Sequence, residues 1–156
     1  MKHKYVNKNF DDIMDEVKKY MVKPENLDLI KKAYEYANEK HAGQFRKSGE
    51  PYVTHVLNVG YILAALRSSP QTIAAGLLHD TIEDCDVDEE EFKKLFGDEI
   101  FLLVQGVTKI GNLKFKDEKE YQAENHRKIF IAMAKDVRVI LIKLVDRLHN
   151  MLTLQY

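Results

Sequence analysis

Apolar residues recur at helical spacing along almost the whole chain, and nowhere do they alternate with polar ones as in a half-buried strand. Residues 9–21 place Phe10, Ile13, Val17 and Met21 near one side of a first helix. Pro24 suits the first turn of a second, along which Leu27, Ile30, Tyr34, Ala37 and His41 follow three or four apart, and Gly43 suits its stop. The polar stretch QFRKSGEPY reads as a loop, marked by Gly49 and Pro51. Thr54 is placed to cap a helix running to about Leu66. Ser69-Pro70 opens another that carries Ile73, Ala74, Leu77, Leu78 and Ile82. Asp88 begins a short acidic helix ending at Gly97, and Asp98 caps the next, through Val107. Residues 109–118 read as a basic loop, followed by a helix over 119–134 and a last one from 137 onward. The count predicts an all-α domain, a single helical bundle over residues 1–156.

The last helix has an unusual pattern. Val137, Ile140, Leu141, Leu144, Leu148, Met151 and Leu152 cover one broad side, while Val139, Ile142 and Val145 extend the apolar surface nearly all round. Such a helix is normally buried. Yet it carries Asp146, Asn150 and Thr153 at i, i+4 and i+7, a single polar stripe. A buried carboxylate needs a partner, a hydrogen bond or a metal.

Composition narrows the chemistry. With 24 Lys plus Arg against 25 Asp plus Glu, the net charge is −1, so no global field grips a nucleic-acid backbone. An anionic ligand has to be held by a few local cations or a metal. One cysteine, Cys85, excludes an intramolecular disulfide and a Cys-based zinc site. No apolar run approaches a membrane span, and the polar start MKHKYVNKNFDD lacks a signal-peptide core. No P-loop or dinucleotide fingerprint is present. These features predict a soluble cytoplasmic domain that touches neither membrane nor nucleic acid directly.

His79-Asp80 sits at the end of the apolar helix that Pro70 opens. On its own the dipeptide says little. His55, however, lies at the start of the preceding antiparallel helix, and a short link brings the start of one beside the end of the next. Asp146 on the buried last helix adds a second carboxylate. Two imidazoles and two carboxylates make a mixed nitrogen and oxygen site, suited to Mn²⁺ or Fe²⁺ more than to closed structural zinc. Glu83 and Asp84 follow four residues after His79 and Asp80, and face the same side if the helix continues through them. Carboxylates beside a metal can orient water and move protons; equally, this pair can simply begin the acidic surface run to Glu91. Arg46 and Lys47 suit base stacking and phosphate contact, or a solvated loop. Lys109 and Lys143 are candidate sources of positive potential, Tyr34, Tyr36, Tyr52 and Tyr61 read as core, Cys85 as a buried filler, and His149 lies on a different helical face from the stripe.

The order His55, His79-Asp80, Asp146 resembles the HD phosphohydrolase pattern. The surrounding segments HAGQFRKSGEPYVTH, GLLHDTIEDC, GVTKI and AENHRKIFIAMAKDVRVILIKLVDRLHNM are similar to the hydrolase domain of RelA/SpoT-type alarmone enzymes, over residues 5 to 156. The resemblance implies Mn²⁺-dependent removal of the 3′-diphosphate from guanosine tetra- or pentaphosphate, leaving GDP or GTP and pyrophosphate. It places the metal ligands on His55, His79, Asp80 and Asp146, and the catalytic acidic pair on Glu83 and Asp84. Nucleotide contacts fall on Arg46 and Lys47, and nucleoside contacts on Asn150 and Thr153. Two alternatives stay open: a nucleotide-sensing module without catalysis, and another HD enzyme acting on a different nucleotide. Domains of this family continue for a few more helices, so the chain is expected to be cut short. Part of the surface around Val139, Ile142 and Val145 is then expected to lack cover, and the chain to self-associate or to rearrange its C-terminus.

Overall fold

The computed structural model describes residues 8–111 and 136–153. Seven helical segments carry the described fold: α1 (Phe10–Val17), α2 (Pro24–Lys40), α3 (Val53–Ala65), α4 (Pro70–Leu78), α5 (Thr81–Asp84), α6 (Glu89–Gly111) and α7 (Val137–Leu152). Among the described residues the one piece of β geometry is an isolated bridge between Phe45 and Pro51, which pins the two arms of the 44–52 loop together. The all-α class is as the periodicity predicts. The expected loop at 112–118 and helix at 119–134 lie outside the described residues.

Local chemistry explains most starts and stops. Asn9 and Asp12 exchange side-chain and backbone hydrogen bonds in a capping box at the head of α1. Ser69 Oγ accepts from Thr72 N ahead of Pro70, and Asp136 accepts from Arg138 N at the head of α7. Asp88 accepts from the backbone of Glu90 and Glu91. Four expectations need correction. Helix α1 stops at Val17, and Met21 reaches the core from the turn beyond it. Thr54 does not cap α3; that helix starts at Val53 without a side-chain cap. Helix α6 runs through Gly111, not Val107, so Lys109 and Ile110 are helical rather than loop; Gly97, at φ 85° and ψ 166°, breaks it where the acidic helix was expected to end. The helix carrying Leu77 and Leu78 does not continue to Ile82: it ends at Leu78, and a separate turn begins at Thr81. There His79 Nδ1 donates to Gly76 O at 2.6 Å and Thr81 Oγ1 to Leu78 O at 2.7 Å. These side chains satisfy carbonyls that a continuing helix would have used.

The core centres on α3 and α4, which pack on each other and are flanked by α1, α2, α6 and α7. Their approach is close because glycines face leucines in both directions. A Cβ on Gly60 would sit 2.8 Å from Leu77 Cδ2, and one on Gly76 would sit 2.4 Å from Leu63 Cδ1. The inner face of α7 is Val139, Ile142, Val145, Asp146 and His149. Val139, Ile142 and Val145 are therefore covered, contrary to expectation. The apolar side left to solvent is the other one, with Val137 72%, Leu144 60% and Met151 68% exposed.

Candidate metal centre

Three helix ends and one helix middle deliver the polar cluster. His55 comes from the first turn of α3, His79 and Asp80 from the break after α4, and Asp146 from the inner face of α7. The four residues predicted as ligands are thus brought together. One donor atom from each lies within 4.8 Å of every other. Asp146 Oδ1 stands between the rings, 2.7 Å from His55 Nε2 and 3.3 Å from His79 Nε2. His79 Nε2 also lies 2.9 Å from Asp80 Oδ2. Lys143 Nζ donates to the other oxygen, Asp146 Oδ2, at 3.0 Å. The cationic side chain therefore engages the oxygen turned away from the imidazoles.

Titration in the cluster follows from this crowding. Burial would push His79 down, but the Asp80 carboxylate and the hydrogen bonds to Asp146 and Asp80 outweigh it and hold the ring up at about 10. His55 goes the other way, since burial outweighs the Asp146 contact and lowers it. Burial would raise both carboxylates; His79 instead brings Asp80 to about 2. Hydrogen bonds from His55 and His79 hold Asp146 well below the usual carboxylate range. Without a cation, the site keeps one proton on His79 between two carboxylates. Two anions and two imidazoles converging on one point fit a divalent cation by number, charge and ligand type.

Two residues of this centre escape the sequence reading. Tyr52, read as core, donates its hydroxyl to Asp80 Oδ2 at 2.5 Å. His149, assigned to a different face, shares the buried face of α7 with Asp146, three residues away. Its Nδ1 lies 2.7 Å from His55 Nδ1, and its Nε2 has no hydrogen-bond partner among the described residues. The i, i+3 spacing is the signal that could have found it.

Beside the cluster lies a cavity of about 440 Å³, lined by Phe45, Arg46, Lys47, Tyr52, Asn150 and Thr153 among others. All four predicted nucleotide-contacting residues share it. Arg46 donates to Asn150 Oδ1 at 2.8 Å, tying the loop to α7. Tyr52 borders the cavity while bonding Asp80, so cavity and cluster are neighbours. Asn150 is the last turn of α7, and Thr153, its C-cap, donates back to His149 O. Glu83 is exposed on α5. The condition that α4 runs on through Glu83 and Asp84 fails, because the chain breaks at Asp80. The Asp84 side chain lies outside the described residues. Lys109 is exposed on α6.

A helical fold with paired His and Asp at one end of the bundle defines a class, and the comparisons agree with it. The HD domain family model matches residues 33–156. The chain belongs to the HD domain family and, within it, to the RelA/SpoT group. It is 48% identical over 145 residues to a guanosine-3′,5′-bis(diphosphate) 3′-pyrophosphohydrolase of Vibrio cholerae, covering 93% of this chain and 20% of that one. It is 50% identical over 155 residues to a GTP pyrophosphokinase of Myxococcus xanthus, covering 95% of this chain and 20% of that one. A solved structure, described as a metazoan ortholog of SpoT that hydrolyzes ppGpp and plays a role in starvation responses, superposes with TM-score 0.62 at 36% identity. That match covers 81% of this chain and 70% of the other. The chain spans about a fifth of the length of the curated relatives it matches.

Proposed function

We propose that this domain hydrolyses guanosine tetra- or pentaphosphate at the 3′ position, releasing pyrophosphate and GDP or GTP, with Mn²⁺ as its cation. The carrying observation is the convergence of the His55, His79, Asp80 and Asp146 donors within 4.8 Å. The adjoining cavity, with Arg46, Lys47, Asn150 and Thr153 on its wall, supports a nucleotide beside them.

In this mechanism those four side chains hold the cation. Bound there, it would supply Lewis-acid chemistry: charge neutralisation on phosphoryl oxygens and a lowered pKa for water. Arg46 and Lys47 meet the polyphosphate and base with a planar fork and a compact charge respectively. Asn150 and Thr153 present amide and hydroxyl groups to the nucleoside. The attacking water joins the phosphorus next to the ribose 3′-oxygen, and the bond between them breaks. Glu83, with Asp84, takes the water's proton and returns one to the leaving 3′-oxygen. The hydrolase names of relatives such as the Vibrio cholerae protein support hydrolysis as the reaction.

A second reading is nucleotide binding without cleavage, since relatives of comparable identity carry the name GTP pyrophosphokinase and not that of a hydrolase. Product analysis with the tetraphosphate and Mn²⁺ separates the two. Pyrophosphate and GDP support hydrolysis, whereas saturable binding with intact substrate supports sensing.

A further inference from the structure

We infer that His149 is a positioning residue that selects which nitrogen of His55 is free to take a cation. The inference rests on the metal-centre proposal above and deepens it. The two imidazoles meet nitrogen to nitrogen, His55 Nδ1 against His149 Nδ1 at 2.7 Å. Their ring centroids are 4.9 Å apart, with 34° between the planes. Both rings are 1% exposed, so water does not replace either partner. At that distance the pair shares one proton: one nitrogen donates and the other accepts.

The alternative placements have different consequences at the far side of His55. If the shared proton is on His55 Nδ1, a neutral ring has its lone pair on Nε2, facing the cluster, and can ligate. If it is on His149 Nδ1, His55 carries its own proton on Nε2. That proton points at Asp146 Oδ1, 2.7 Å away, the hydrogen bond of the metal-free cluster, and ligation requires it to move to Nδ1, where His149 accepts it. The pair holds two protons and no net charge in both arrangements. His79 has no such freedom: its Nδ1 faces Gly76 O at 2.6 Å, and a carbonyl can only accept. The centre therefore contains one imidazole locked by the backbone and one whose orientation depends on another side chain. Outer partners of this kind fix the tautomer of a ligating His, and losing one costs roughly 10–100-fold in metal affinity.

His149 has one further feature. When it accepts from His55 it carries its own proton on Nε2, and that atom is buried without a partner among the described residues. An asparagine here would place an amide oxygen near the position of Nδ1, still able to accept from His55. Phenylalanine would keep ring volume and lose the acceptor.

The test uses the whole chain, with Mn²⁺ titrated calorimetrically and melting followed without metal. His149→Phe is expected to bind Mn²⁺ about 10–100-fold more weakly, and His149→Asn to stay within about threefold of wild type, because it restores the acceptor. Equal affinity in His149→Phe and wild type overturns the inference. Equal weakening in the two variants also overturns it, by showing that only packing matters. The wild-type protein supplies a readout independent of variant folding. In long-range ¹H–¹⁵N spectra of the Zn²⁺-loaded chain, His149 is expected as the Nε2–H tautomer; a proton on its Nδ1 overturns the inference. Failure of wild type to bind Mn²⁺, by contrast, overturns the metal-centre proposal itself and this inference with it.

Discussion

Asp146→Asn separates a cation site from a mere polar cluster. The carboxylate lies between both imidazoles and accepts from Lys143, so its charge is the hub of the group. A cation that binds only the native state stabilises it by about 2.7 kcal/mol at a hundred times its Kd. For a domain of this size each kcal/mol moves Tm by roughly 2–4 °C, so Mn²⁺ should raise the wild-type Tm by about 5–10 °C. The amide keeps the shape of the carboxylate but lacks its charge and is a poor ligand. In Asp146→Asn the Mn²⁺ increment should fall below about 2 °C. The metal-free variant should itself melt lower, since losing one member of a buried charge group leaves His79 and Lys143 less compensated. Differential scanning fluorimetry of both proteins, with and without Mn²⁺, reads both effects. A folded Asp146→Asn that gains as much from Mn²⁺ as wild type would remove Asp146 from the ligand set.

Glu83→Gln should keep the fold and the Mn²⁺ response but lose turnover by roughly 10²-fold or more, read as pyrophosphate release; wild-type rates in both Glu83→Gln and Asp84→Asn would reduce the pair to surface charge. Because His79 is held at about 10, the metal-free protein carries a proton there at neutral pH that a ligand must shed. Cation binding should therefore release about one proton and tighten with rising pH, by at most about tenfold per unit; calorimetry in buffers of different ionisation heat measures this, and no release would sink the assignment. The same raised ring stabilises the metal-free fold fully below its unfolded value near 6.5, and that contribution is lost as pH climbs through about 10. Gly76→Ala pushes a methyl to 2.4 Å from Leu63 Cδ1, a fully buried side chain. Overpacking at about 1–3 kcal/mol should outweigh the roughly 1 kcal/mol gained in helix propensity, so its Tm should drop, and a Tm at or above wild type would show that Leu63 yields freely.

The helical spacing of apolar residues was legible because each early helix has one polar side that fixes its orientation; Ile13 and Val17, or Ile30, Ala33 and Ala37, are buried as their spacing demands. The last helix offered no such contrast. Apolar residues surround it, so periodicity could not say which side faces in, and the side richer in leucine is the exposed one. The better guide was polar: Asp146 and His149 mark the inner face, because each is buried by virtue of partners on other helices. His149 was missed for a related reason. Three residues on an α-helix is about 60° of rotation, close enough to share a face with Asp146. The convergence of His55 and His79 was legible, since they sit at adjacent ends of antiparallel helices and sequence order alone implies their meeting. Glu83 and Asp84 show the limit. No glycine or proline interrupts 79–84, so the break at Asp80 had no sequence flag; it depends on His79 and Thr81 side chains turning back onto α4.

The central claim is that these four ligand residues and the adjoining cavity act together on a 3′-diphosphate. The most direct measurement is to incubate the chain with guanosine tetraphosphate and Mn²⁺ and resolve the products by anion exchange. The account predicts GDP and pyrophosphate in equal amounts, dependent on Mn²⁺ and lost in His79→Ala. Substrate that stays intact under conditions where Mn²⁺ is bound, or release of orthophosphate in place of pyrophosphate, would contradict it.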